Sequence, residues 1–331
     1  MGAFIIRRLA AMVLVLLALT AVMFILQEVS PFDPVRLAVG PEASQAVVAA
    51  ARRRLGYDDP IIVQYLRYVA HAFTGNLGTS LRTGNPVMSD IISFLPASAE
   101  LMIAALIIAA PLSLLLGLAS AARWRGAAIL RVSAISFASA PSFVLSVLFV
   151  LLFYSRLHWL PAGGQTSYFN APTGPTGFLV IDGLLHGRPA VSWDAIEHLV
   201  LPAFSLALLP AVAVGRVLRG ALLTNMRSDH VRAARSRGLG ETALVLRHAL
   251  RNSAGPALAM SGLMLGAMFT SLVVVETVFA WPGLGSYLDQ SIPRGDFPAI
   301  TGVTLVLGVI YVVTNTIVDI LQAAADPRIR A

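Results

Sequence analysis

The sequence predicts an all-α integral membrane protein with six transmembrane helices, and three observations carry that reading. Of 331 residues, 57% are hydrophobic and only 12% charged, about half the charged share of a soluble domain. Six charge-free stretches approach the roughly 20 apolar residues that a helix needs to cross the hydrocarbon core: 9–27, 101–122, 132–155, 199–215, 253–275 and 297–318. The arginines gather in alternate loops, the pattern that sets orientation in a bilayer.

The elements follow in order. Arg7 and Arg8 precede the first apolar run, as in a signal peptide, but the run is long for a signal core and no A-x-A-like cleavage site follows it before Glu28. An uncleaved first helix is expected. Segment 28–98 is an outer segment that opens with the turn Ser30-Pro31-Phe32-Asp33-Pro34 and holds helix-like stretches at 43–55 and 60–73. The second and third spans flank a short loop with Arg123, Arg125 and Arg131. Segment 156–197 is rich in Gly and Pro and carries an apolar patch at 178–185, expected at the membrane interface. The fourth stretch, 199–215, is the shortest and needs neighbouring residues to span. Loop 221–252 is the longest arginine-rich one, and 297–318 closes the set before a tail with Arg328 and Arg330. No internal repeat is visible, so the whole chain, 1–331, is expected to form one transmembrane domain.

With the N-terminus in the cytoplasm, the arginine-dense segments 1–8, 123–131, 216–252 and 319–331 all lie inside, and both termini are cytoplasmic. The net charge of +7 then reflects topology and attraction to anionic lipid rather than a nucleic-acid surface.

Composition also excludes chemistry. Cysteine is absent, which removes disulfides and thiol catalysis. Lysine is absent too, so all 24 basic residues are arginine and the phosphate loop G-x-x-x-x-G-K-[ST] cannot be present. Any work done by ATP belongs to a partner. The scattered histidines form no metal-binding pair, and no catalytic residue is assigned. Gly163-Gly164-Gln165 echoes an ATPase signature loop but falls in an outer segment. Glu100, Glu276 and Asp319 lie near span ends, where packing or interfacial roles compete with a proton relay.

The most informative stretch is Ser228-Asp229-His230-Val231-Arg232-Ala233-Ala234-Arg235-Ser236-Arg237-Gly238-Leu239-Gly240. Ser228 or Asp229 is placed to cap a short helix with its side chain, Ala and Arg suit its interior, and Gly238 can take the left-handed conformation that ends it. Val231, Ala233 and Ala234 allow close approach on one side. A second helix is expected from about 241 to 252, with Leu246, Ala249 and Leu250 on one face and Gly255-Pro256 opening the next span. Such a unit could dock in a groove of another protein; the residues alone leave open a solvated loop that only fixes topology.

Residues Val231 to Leu239 resemble the EAA loop of ATP-binding-cassette (ABC) importer permeases, with Arg232 where a Glu is usual. They match the V-R-x-A-R-x-K-G-L form of the peptide branch, with Arg237 for Lys. Leu246-Arg247-His248-Ala249-Leu250-Arg251-Asn252 resembles that branch's R-H-A-L-R-N, and Glu276-Thr277-Val278-Phe279-Ala280-Trp281-Pro282-Gly283-Leu284-Gly285 its E-x-V-F-x-W-P-G-L-G. Phe4-Ile5-Ile6-Arg7-Arg8-Leu9, the turn at 30–34 (Phe32 in place of a Gly), Leu55-Gly56-Tyr57-Asp58-Asp59-Pro60, Gly75-Asn76-Leu77-Gly78-Thr79-Ser80 and Trp159-Leu160-Pro161-Ala162-Gly163-Gly164 agree in order. The resemblance, from about Phe4 to Pro327, is to the DppB/OppB-like subunits of dipeptide and oligopeptide importers.

That resemblance implies a type I ABC importer permease fold in the bacterial cytoplasmic (inner) membrane. It implies a second homologous permease, two cytoplasmic ABC ATPases carrying ATP and Mg, and an extracytoplasmic substrate-binding protein. The chain itself needs no cofactor. Residues Asp229, Val231, Arg232, Ala233, Ala234, Arg235, Gly238 and Leu239 would couple to the ATPases. Glu276, Phe279, Trp281, Pro282, Gly283 and Gly285 would form an outer-side loop or gate. Segments 281–298 and 156–197 would receive the binding protein. The expected cargo is a short peptide, with nickel, glutathione and haem as alternatives in related subunits. A proton-driven secondary transporter and a membrane enzyme are the readings from other classes, and no acid–base cluster or nucleophile pair supports the enzyme.

Overall fold

The computed structural model describes residues 2–31, 33–40, 42–121, 126, 128–129, 132, 135–136, 139–140 and 141–325. It is helical throughout, with no strand among the described residues. Helices α1 (Gly2–Val29), α2 (Pro34–Val39), α3 (Gln45–Leu55) and α4 (Ile61–Phe73) precede the long α5 (Val87–Ala121). Then come α6 (Ser142–Phe149) with a π-helical extension Val150–Arg156, α7 (Leu179–Leu185) and α8 (Pro189–Asn225). Helix α9 (Asp229–Ser236) is followed by α10 (Glu241–Ala243), a π turn Leu244–Ala249, and α11 (Leu250–Val278). Helices α12 (Leu284–Ser291) and α13 (Phe297–Ala325) end the described chain.

Among the described residues, five helical stretches are long and apolar enough to cross a membrane: Ala10–Val29, Val87–Ala119, Pro189–Asn225, Glu241–Val278 and Phe297–Ile320. They match five of the six expected spans. The third expected span, 132–155, appears as the shorter apolar helix Ser142–Arg156, about 22 Å at 1.5 Å per residue and less than a bilayer core; the start of that stretch falls partly outside the described residues. The fourth helix is far longer than its charge-free core, because Asp194, Glu197 and His198 at one end and Arg216 and Arg219 at the other lie on the same helix. Prolines 96, 111, 202, 210 and 256 sit inside spanning helices, as membrane helices tolerate. Pro256 does not open a helix as expected, since α11 already begins at Leu250.

The chain forms two compact units, Met1–Leu95 with Ser286–Val312, and Pro96–Gly285 with Val313–Ala331. In the first, α4 carries an apolar stripe, and Tyr65 bonds the Leu17 carbonyl of α1 at 3.2 Å. Asp33 caps α2 by accepting from Val35 N (2.9 Å), and Arg52 reaches it at 2.8 Å. The neighbouring Phe32 of the expected turn lies outside the described residues. Helices α3 and α4 fall where the sequence placed helix-like stretches. Asp296 accepts from Ser80 Oγ (2.6 Å) and Arg82 N (3.1 Å), and Tyr287, wholly buried, donates to Asp90 at 3.0 Å. Burial pushes the Tyr287 phenol up to about 12, which keeps it a neutral donor.

The second unit holds the main core, where Leu101, Leu145, Leu206, Met268, Leu272 and Trp281 from α5, α6, α8, α11 and the segment after α11 pack together. Helix α7 is the apolar patch of segment 156–197. Its Leu179 packs with Val191 and Ala195 of α8, while Leu184 and Leu185 are exposed.

Candidate functional site

Two motif segments of the second unit were expected to carry function, and they are built in opposite ways. The first is α9. Its register follows from sequence: an eight-residue amphipathic helix runs from Asp229 to Ser236 and stops where Gly238 adopts φ +84°, a conformation that a side chain disfavours. The expected side-chain cap is absent. Ser228 holds the N-cap position, but its hydroxyl donates back to the Asn225 carbonyl at 2.5 Å.

Of the residues expected to couple, Val231 and Ala234 turn inward. They are buried against Leu244 of the π turn, with Met226 beside them. The outward face carries Arg232, Ala233 and Ser236, flanked by Asp229 and Arg235, with Leu239 partly exposed beyond the Gly238 turn. Asp229 pairs with Arg232 along the helix. Arg235 forms a two-pronged pair with Glu241 across the turn, at 2.8 and 3.1 Å, and this bonding raises the guanidinium pKa further. The second helix does not present Leu246, Ala249 and Leu250 on one face. The π turn shifts the register, so Leu244 and Ala249 are buried while Leu246 is half exposed.

The second segment, 276–285, expected as an outer-side loop or gate, is packed as a buried clamp. Glu276 is completely buried, accepting from Ser98 Oγ and Gly285 N, both at 2.6 Å. Ser98 Oγ in turn accepts from Leu284 N at 2.7 Å. Trp281 Nε1 donates to the Ala97 carbonyl at 2.9 Å, and Phe279 and Trp281 are 1% exposed. Pro282 alone of the expected set is exposed. Glycine is required twice for close approach: a Cβ on Gly283 would overlap the Glu276 carboxylate, and one on Gly285 would overlap the Val273 backbone.

Neighbouring carboxylates pin the segment before α8. Glu100, 6% exposed, accepts from Val180 N (2.9 Å) and Gln165 Nε2 (3.0 Å). Asp182 accepts from Thr176 Oγ1 and Gly177 N, and Asp194 from Thr166 Oγ1 and Ser167 N. His198 contacts the Gly163 carbonyl at 2.9 Å. Gly163-Gly164-Gln165 is thus part of a loop anchor. Glu100 and Glu276 are buried and hydrogen-bonded, the packing role among those the sequence offered; Asp319 is half-buried on α13. Sequence reasoning missed Ser98, Asp182, Asp194 and His198, which carry no local motif; Glu241 and Asn252 lay in quoted segments without a role.

The model of the binding-protein-dependent transport system inner membrane component matches residues 109–331, and the model of its N-terminal region matches 1–102. The chain belongs to this family. It is a permease subunit of an ABC importer, and the family is a transport component rather than an ATPase. The permease is 41% identical over 327 residues to the probable D,D-dipeptide transport system permease protein DdpB of Escherichia coli K12, covering 98% of this chain and 96% of that one. It is 36% identical to the di/tripeptide transport system permease protein DppB of Pseudomonas aeruginosa, covering 100% and 99%. The glutathione transport system permease protein GsiC of Salmonella paratyphi A is 34% identical, covering 99% and 98%.

Proposed function

We propose that this permease forms half of a translocation pathway for short peptides in the bacterial inner membrane, together with a second homologous permease. Two cytoplasmic ABC ATPases bind and hydrolyse ATP with Mg, and an extracytoplasmic binding protein delivers cargo. The single domain crosses six times with both termini in the cytoplasm, the helix at Ser142–Arg156 belonging to the third crossing. ATP closure favours one permease state over the other, and α9 transmits that preference. The observation that carries the reading is α9 itself: a short helix whose apolar side is satisfied within the chain, leaving Arg232, Ala233 and Ser236 on an open face.

Short peptides are the cargo best supported, because dipeptide and di/tripeptide permeases are similar over nearly the whole chain. Glutathione, named for another relative, is the second reading and is itself a tripeptide. The test is uptake by the reconstituted complex in lipid vesicles. ATP-dependent accumulation of a di- or tripeptide, stimulated by loaded binding protein, is expected. Uptake driven by a proton gradient without ATP would overturn the mechanism; glutathione uptake alone would change only the cargo.

A further inference from the structure

Around the base of α9, five polar residues form a cluster that the motif reading does not use. Asn225, at the end of α8, donates from Nδ2 to Ser253 Oγ at 2.9 Å. The Asn225 carbonyl accepts from Ser228 Oγ. Ser228 Oγ stands 3.3 Å from His230 Nε2, and Asn252 Nδ2 lies 3.1 Å from the same ring nitrogen. Asn252 and Ser253 are neighbours on α11, so the cluster joins the ends of α8, α9 and α11; with the Ser228 proton on the Asn225 carbonyl and Nε2 accepting from Asn252, Ser228 and His230 touch without a hydrogen bond between them. Ser253 is wholly buried and also bonds the Ala249 carbonyl at 2.8 Å, which seats the cluster on the π turn.

We propose that Asn252 is a positioning residue for coupling: through His230 it fixes the N-terminal end of α9 to α11, so that a push on α9 moves the spanning helices instead of tilting α9 alone. This rests on the reading of α9 as the coupling helix. Helix α9 has eight residues and one apolar anchor, Val231 and Ala234 on Leu244, near its middle. An element held at one point pivots. The Arg235–Glu241 pair restrains its C-terminal end; the Asp229–Arg232 pair lies within the helix and restrains nothing outside it. His230 is the N-terminal residue of α9 that reaches α11 by a side-chain bond. Donation by the amide to Nε2 leaves the imidazole proton on Nδ1.

The experiment uses the full complex in nanodiscs and reads peptide transported per ATP hydrolysed, beside ATPase co-purification. Asn252→Ala and His230→Ala should each leave assembly intact and lower the transport-to-ATP ratio by about fivefold, the worth of one hydrogen bond. The double variant should be no worse than either single, because both remove the same contact. Asn252→Asp should keep most of the coupling, since the imidazole can present its other tautomer to a carboxylate. Wild-type ratios in both alanine variants, multiplicative losses in the double, or equal loss in Asn252→Asp and Asn252→Ala would overturn the proposal. Ala233→Glu separates it from the underlying reading. If that change leaves the ATPases bound and transport intact, the docking role of α9 fails. If it releases them while Asn252→Ala stays fully coupled, only the Asn252–His230 tie fails.

Discussion

The α9 segment and the 276–285 clamp are both motif-bearing, yet one presents its motif outward and the other hides it. In α9 Val231 and Ala234 are internal, and the charged residues with Ala233 and Ser236 remain on the surface. In the clamp Glu276, Phe279, Trp281, Gly283, Leu284 and Gly285 are buried, and its one carboxylate is consumed by Ser98 and Gly285. A distinctive sequence can therefore mark either a surface kept for a partner or an interior that admits no alternative. Burial separates the two.

The largest test of this contrast is Gly283→Val. A side chain there displaces a buried carboxylate from its donors, a class of change worth about 3–5 kcal/mol. Thermal unfolding of the purified permease in detergent should show severe destabilisation, and wild-type melting would break the clamp. Next comes α9. Ala234→Glu forces a charge against Leu244 and should destabilise the segment by about 2–4 kcal/mol, read as lost hydrogen-exchange protection. Ala233→Glu, one residue away, should leave protection unchanged yet release the ATPases on purification. Equal behaviour of the two variants would erase the distinction between the faces.

Smaller effects sharpen it. Ala280 ends α11 at φ +47°, a left-handed conformation that strains a residue with a Cβ. Ala280→Gly should stabilise the clamp by up to about 1 kcal/mol and raise the melting temperature slightly; a fall would show that the methyl group packs usefully. Removing the exposed Arg235–Glu241 pair with Arg235→Ala should leave the melting temperature close to that of the wild type, because solvent screens the pair. The smallest effect is acid fraying of α2. Burial pushes Asp33 up, but the Val35 and Arg36 amides and Arg52 outweigh it, so its carboxyl titrates below the usual range. Its capping contribution is complete above about pH 4, the ordinary Asp value, and is lost as pH falls through the lower folded value. Exchange at the Val35 amide, followed across that range, checks the sign.

Much of the architecture was legible because it depends on local pattern. Charge-free length found five spans, Gly238 marked the end of α9, and helices at 45–55 and 61–73 were anticipated from their own residues. The π turn was not legible: Leu246, Ala249 and Leu250 fit an ideal helical face, and one extra residue per turn moved Leu246 to the surface. Nor was the missing cap at Ser228, whose side chain turns back onto the Asn225 carbonyl instead of accepting from the first turn of α9.

By itself the sequence determined that the chain lives in a bilayer, that it lacks the lysine of a phosphate loop, and that 229–239 is a short helix ended by glycine. Those properties follow from composition and from interactions a few residues apart. Only the tertiary structure decided which motif residues face outward and which are spent inside. Glu276 meets Ser98 across 178 positions of sequence, and His230 meets Asn252 across 22. Such pairings arise when helices pack, because burial obliges each polar group to find a partner wherever the fold brings one.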